Sequence, residues 1–180
     1  DKIVFAQDAK TTVDKDRIFY VATLLIATGA LGAFLTTDIF FIYAFHELAL
    51  IPTFLMIALH GHGARKEAAW RITIYLGVGS LILLLGLLGV GWYCSPVVDG
   101  HRQLTFDLIE LLKHPLRADG EYAQFASANF FTLLVGFGIL VSLFPFHSWA
   151  APAYASAPTP IAMMHAGVLK KFGLYGLIRI

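Results

Sequence analysis

The sequence predicts an all-α, polytopic transmembrane helix bundle of about five spans. Three observations lead there. The 180 residues are 58% hydrophobic and only 14% charged, with a mean hydropathy of +0.72, which is too apolar for an aqueous domain of this length. The apolar residues fall in blocks of about 20, the length an α-helix needs to cross about 30 Å of hydrocarbon. The charges collect between the blocks. A net charge of +1 with no basic stripe among the aromatics leaves the lipid bilayer, not nucleic acid, as the expected surroundings. A single cysteine, Cys94, excludes an internal disulfide and an all-cysteine iron–sulfur or zinc site. The chain opens on "DKIVFAQDAKTTVDKDR" without the pattern of a signal peptide, and it stops inside an apolar run. It therefore reads as one transmembrane domain, residues 1–180, belonging to a longer subunit.

The spans follow in order. Residues 18–37 carry no charge, and residues 39–59 follow after only Asp38, with His46 and Glu47 inside. Residues 72–94 are uncharged, and glycines at 77, 79, 86, 89 and 91 suit close helix packing in lipid. Residues 95–124 form the only long polar connection; within it "LTFDLIELLKHPL" places Leu104, Ile109, Leu111 and Leu112 on an interfacial amphipathic helix. Residues 126–146 are uncharged and run into "FPFHSWAAPAYASAPTP". Prolines at 145, 152, 158 and 160 interrupt the helix near Phe144–His147 and remove regular helix from about His147 to Thr159. The last span is 160–180. Lys15, Arg17, Arg65, Lys66 and Arg71 share one side, whereas 95–124 holds three basic and five acidic residues. The basic loop is expected to face the cytoplasm and 95–124 the outside.

Ionisable residues within spans carry the functional argument. A charge at the centre of a bilayer helix costs roughly 2.5–3.5 kcal/mol, so it faces protein, water or a counter-ion. Glu47 lies about 12 Å into its span and Lys171 about 15 Å into its own. Lys170 is about 100° round the helix from Lys171, so the two ammoniums serve different faces. Gly167 and Tyr175, one turn either side of Lys171, give that lysine space and a hydroxyl, and turn it into the bundle; Lys170 then leans to an edge. A structural ion pair at Glu47, snorkelling at Lys170 and ordinary buried imidazoles at His165 and His147 stand beside the functional readings. "HGHG" (His60–Gly63) has the spacing of a metal pair but no cysteine or carboxylate cluster, and reads as a loop.

Five motifs in one order carry a resemblance. "FHELALIP" from Phe45, "YLGVGSLILLLG" from Tyr75, "TFDLIELLKHPL" from Thr105, "FPFHSW" from Phe144 followed by "APT", and "AGVLKKFGLYGLIR" from Ala166 together resemble the antiporter-like membrane subunit of respiratory complex I, of the chain M or chain 4 kind. That family is related to Mrp-type cation/proton antiporters. The likeness runs from about Phe19 to Arg179. It implies a bundle built from inverted repeats, of which this chain is part of the first. It also implies proton translocation coupled to quinone reduction elsewhere, no redox centre or cofactor in this chain, and further antiporter-like subunits as partners.

By motif position the resemblance makes Glu47 and Lys171 the proton-transfer residues, with His165 and His147 nearby and Lys170 and Tyr175 as auxiliaries. Two positions depart from it. A lysine seven residues before the histidine of "P-F-H" and a proline two residues after that lysine are replaced by Leu140 and Ser142. The family's "L-P-D-A-H" becomes "AAPAYA", which removes an acid and a histidine. Leu140 cannot carry a proton. The leading expectation is thus a proton-translocating subunit of an NADH:quinone oxidoreductase in a bacterial plasma membrane rather than a mitochondrial one. A non-pumping structural paralogue, or a subunit of a cation/proton antiporter or membrane-bound hydrogenase, are the alternatives.

Overall fold

The computed structural model describes residues 2–114 and 122–180. The expected loop residues 115–121, including Leu116 of the amphipathic motif, lie outside them. Helix α1 (Lys2–Leu35) and helix α2 (Ile39–His60) are joined by a tight turn. Asp38 makes that turn possible: its carboxylate accepts from the amides of Phe40 and Phe41 at 2.9 and 3.1 Å, satisfying donors that the first turn of α2 leaves free. Gly61–Ala64, with Gly63 at φ +56°, leads into α3 (Arg65–Tyr93). A two-residue hairpin, β1 (Val97–Val98) with β2 (His101–Arg102), and a short helix α4 (Leu108–Lys113) close the far end.

Helix α4 is smaller than expected and turned otherwise. It buries Leu108 and Leu111, while Ile109, Leu112 and Leu104 are exposed. Asp107 sets the register, capping Ile109 N–H at 2.8 Å, and backbone bonds from Ile39 N–H to Phe106 O and from Leu108 N–H to Thr37 O tie it to the α1–α2 turn.

Helix α5 (Ala123–Leu140) runs back along α3. The glycine prediction holds for this contact: Gly79, Gly86 and Gly89 face Ile139, Leu133 and Asn129, with no room for a Cβ, while Gly77 faces open space. The helix ends at Leu140, before Phe146, and Pro145 is not the cause. Ser142 adopts φ +55°, its N–H bonds the Ile139 carbonyl at 3.1 Å, and Leu143 N–H bonds Gly138 O at 2.8 Å. This paired pattern with one left-handed residue is a Schellman ending. A proline at 142 has neither the φ nor the N–H for it.

After the break, α6 (Ala150–Ser156) continues toward the Arg65 end of α3. Helix here corrects the expectation of an irregular 147–159 stretch. Pro152 sits in the first turn of α6, where no intrahelical partner is lost, so it starts the helix instead of breaking it. Pro158 and Pro160 flank the start of α7 (Thr159–Met164), which passes through a π-helical turn (His165–Leu169) into α8 (Lys170–Arg179). Among the described residues, four helical segments are long and apolar enough to cross a membrane: Lys15–Leu35, Ile39–His60, Arg65–Tyr93 and Ala123–Leu140. A continuous helical path runs from Thr159 to Arg179, through the π-helical turn.

Candidate proton-transfer site

Helix α2 carries two neighbouring polar side chains that diverge. Glu47 faces α3, where the Ser80 hydroxyl donates a hydrogen bond to its carboxylate. Ser80 Oγ also bonds Tyr43 Oη at 3.1 Å. The carboxylate only accepts, so the serine proton goes to Glu47 and the tyrosine donates to Ser80. Tyr43 and Glu47 are one helical turn apart, which brings both to the same serine. Beyond Glu47 lies a cleft of ≈ 180 Å³ with Leu50, Phe54, Ile72, Thr73 and Gly77 in its walls.

His46 faces the other way and is 6% exposed. Its ring stacks on Phe172 of α8, with centroids 4.5 Å apart. Its Nδ1 lies 3.6 Å from Glu47 Oε1, beyond hydrogen-bond range, and has no hydrogen-bond partner among the described residues. A second, smaller cavity begins here. His46, His165 and Lys170 line it together with Leu50, Leu76 and Leu140. His165 is 5% exposed, shares a hydrogen bond of 3.1 Å between its Nδ1 and Tyr154 Oη, and meets the edge of Trp149. Lys170 Nζ stands 5.9 Å from the centroid of the Tyr154 ring, within cation–π range. Leu140, the last residue of α5, forms part of the cavity wall.

The lysines are the reverse of the expectation. Lys171 lies on the outer surface of the described bundle and Lys170 is the half-buried one facing the cavity. Packing decides this. Phe172, Gly173 and Gly176 form the buried face of α8, because Cβ-free positions at 173 and 176 admit Phe137 and Leu140 of α5 and Val141 just after it. Lys170 flanks that face and Lys171 stands away from it. Gly167, expected to open space for Lys171, meets no residue of another element among the described ones within 4 Å of a Cβ position. Tyr175 packs on Phe34 of α1 at 5.3 Å between centroids. His147 is exposed and stacks on Phe144, with centroids 5.8 Å apart. Thus His165 and Lys170 converge with His46 and Leu140, Glu47 lines the neighbouring cleft, and Lys171, His147 and Tyr175 line neither.

Ser80, Tyr43, His46 and Tyr154 are site residues to which the sequence reading gave no role. Ser80 had a signal: it is the one hydroxyl among the glycines and leucines of Gly77–Gly91, and a lone polar residue in a span seeks a polar partner.

A model of the NADH:quinone oxidoreductase/Mrp antiporter transmembrane family matches residues 36–180. The chain is 34% identical over 168 residues to NAD(P)H-quinone oxidoreductase chain 4 2 of Trichodesmium erythraeum, covering 92% of this chain and 28% of that one. Its identity to chain 4-2 of Synechocystis sp. is likewise 34%, over the same shares. The fold matches a chain of respiratory complex I from Thermus thermophilus with TM-score 0.75 at 32% identity, over 92% of this chain and 33% of that one. It also matches the archaeal membrane-bound sulfane sulfur reductase, with TM-score 0.74 at 26% identity, over 88% and 30%. The Mrp complex of Dietzia sp. shares the fold, with TM-score 0.68 at 22% identity, over 88% and 28%. This chain therefore spans 28% of the length of its chain 4 relatives. With the family model matched over most of its length and a solved relative of the same fold at 32% identity, the chain belongs to the NADH:quinone oxidoreductase/Mrp antiporter transmembrane family.

Proposed function

We propose that this chain is part of a proton-translocating subunit of a complex I-like quinone oxidoreductase in a bacterial plasma membrane, assembled with other membrane subunits. One observation carries the reading. A carboxylate, Glu47, is kept inside an apolar span on the wall of a cleft, with Ser80 bonded to it and His46 beside it. Mere structure is better served by an apolar residue, since an acid within an apolar span costs desolvation that its partners only partly return. A proton-carrying role explains why the acid is there. Quinone chemistry is assigned to other subunits of the complex, which contribute the redox groups. Lys171 and His147 stand on the outer surface of the described bundle, and we assign them to transfer across whatever part of the assembly covers that face.

The test uses the intact complex in proteoliposomes, with proton uptake and quinone reduction followed together. Glu47→Gln keeps shape and hydrogen-bonding capacity but cannot titrate, so the protons moved per quinone reduced fall while assembly persists. Parental stoichiometry in Glu47→Gln overturns the reading and leaves the non-pumping scaffold, which the apolar Leu140 already favours. Uptake that follows sodium rather than protons points to the antiporter alternative.

A further inference from the structure

We infer that the groove between α1 and α2 at the basic end of the bundle binds an anionic phospholipid, with Arg17 holding the headgroup phosphate and one acyl chain lying between the two helices. The inference needs only that the helices cross a bilayer, and it stands whether or not the chain pumps.

The groove has a volume of ≈ 320 Å³. Ala22 and Pro52, a short side chain and a compact ring, are buried on its floor. Its walls are longer side chains that stay exposed, Val21 and Leu25 on α1 and Ile51 and Leu55 on α2. Small residues between large ones leave a channel, and none of these side chains offers a hydrogen bond, so hydrocarbon is what fills it. The stretch from Arg17 to Leu25 follows α1 for about 12 Å, which is within one leaflet of a hydrocarbon core of about 30 Å. The contact of His60 Nε2 with Lys15 O at 3.2 Å sets the mouth of the groove level with the end of α2, beside the basic loop.

Charge selects the occupant. Arg17 is exposed at the mouth and makes no ion pair or hydrogen bond among the described residues. Asp16, the nearest acid in sequence, is exposed about 100° round the helix and does not line the groove. Of the other cations at this end, Arg65 is engaged by the carbonyls of Leu59 and Gly61 and Arg71 by the Glu67 carboxylate, while Lys15 and Lys66 are exposed without such partners. The end is therefore net positive, with a guanidinium standing over an apolar channel. A phosphodiester above an acyl chain answers both features, since the guanidinium fork matches two phosphate oxygens. A zwitterionic headgroup brings its own cation into this field, and an apolar helix laid over the walls leaves Arg17 without an anion.

The experiment uses the intact complex in phosphatidylcholine vesicles containing a trace of phosphatidylglycerol, or of phosphatidylcholine, with a diazirine in its acyl chain; after illumination the labelled residues are mapped by mass spectrometry. The phosphatidylglycerol probe is expected to label α1 and α2 along the groove in preference to the phosphatidylcholine probe. Arg17→Gln lowers that labelling about fivefold, the share of one basic side chain near a membrane surface, and leaves the phosphatidylcholine probe unchanged. Arg17→Lys keeps the charge and most of the labelling, which separates headgroup binding from any disturbance of α1. Equal labelling by the two probes overturns the inference and leaves ordinary boundary lipid. So does phosphatidylglycerol labelling that survives Arg17→Gln, and an absence of label from both probes means that another polypeptide covers the groove.

Discussion

Trp149 bridges the gap in the broken helix: its indole N–H donates to the carbonyl of Ile139 at 3.1 Å, and its ring is fully buried. The same carbonyl takes the Ser142 N–H of the Schellman ending. One oxygen thus ties the end of α5 to the start of α6. The break is a built junction in which the amides of Ser142, Leu143 and Phe146 are bonded, in line with what irregular backbone at membrane depth demands.

Replacing Trp149 by Phe removes that donor but leaves the Ser142 bond in place. The expected loss is about 1 kcal/mol, typical of side-chain hydrogen bonds in membrane helices, while Trp149→Ala costs roughly 3–5 kcal/mol through the cavity it opens. Thermal unfolding of the solubilised complex gives the ranking. Equal midpoints for the Trp149→Phe and parental complexes would count against the bridge.

Ser142 is a left-handed L-residue, for which that conformation costs roughly 1–2 kcal/mol. Ser142→Gly is expected to hold or raise the melting temperature, and Ser142→Pro to lower subunit incorporation sharply, at a cost of about 3 kcal/mol or more. Native electrophoresis of membranes measures incorporation. Normal incorporation of Ser142→Pro means α5 ends differently.

Ser80→Ala leaves the Glu47 carboxylate without its hydroxyl donor and Tyr43 without its acceptor. Pumping is expected to fall in Ser80→Ala, and to fall no further when Ser80→Ala is combined with Glu47→Gln, because the two act as one unit. Additive losses in a double-mutant cycle on proton uptake would show that the serine works elsewhere.

The basic residues Lys15, Arg17 and Arg65–Arg71 lie at one end of the bundle, where His60 Nε2 reaches Lys15 O at 3.2 Å, and the hairpin and α4 lie at the other. Single cysteines at positions 66 and 99 in a Cys94→Ser background should therefore label from opposite faces of the membrane, position 66 from the cytoplasm. Labelling from one face contradicts the topology.

Composition and spacing alone determined that this chain is a membrane bundle, the order of its spans, the close glycine contact of α3 and an acid kept inside α2. These are legible because the bilayer demands long apolar runs and makes every internal charge conspicuous. The place and manner of the helix break were only half legible: Pro145 marked the neighbourhood, but the stop at Leu140 depends on the φ of Ser142, which no hydropathy pattern records. The inward lysine was decided by tertiary structure. Lipid-facing and protein-facing positions are both apolar in a membrane helix, so periodicity gives no inside. Only the seating of Phe172, Gly173 and Gly176 against α5, after a π-turn that adds a residue to the helical count, turns Lys170 toward His46 and Lys171 away.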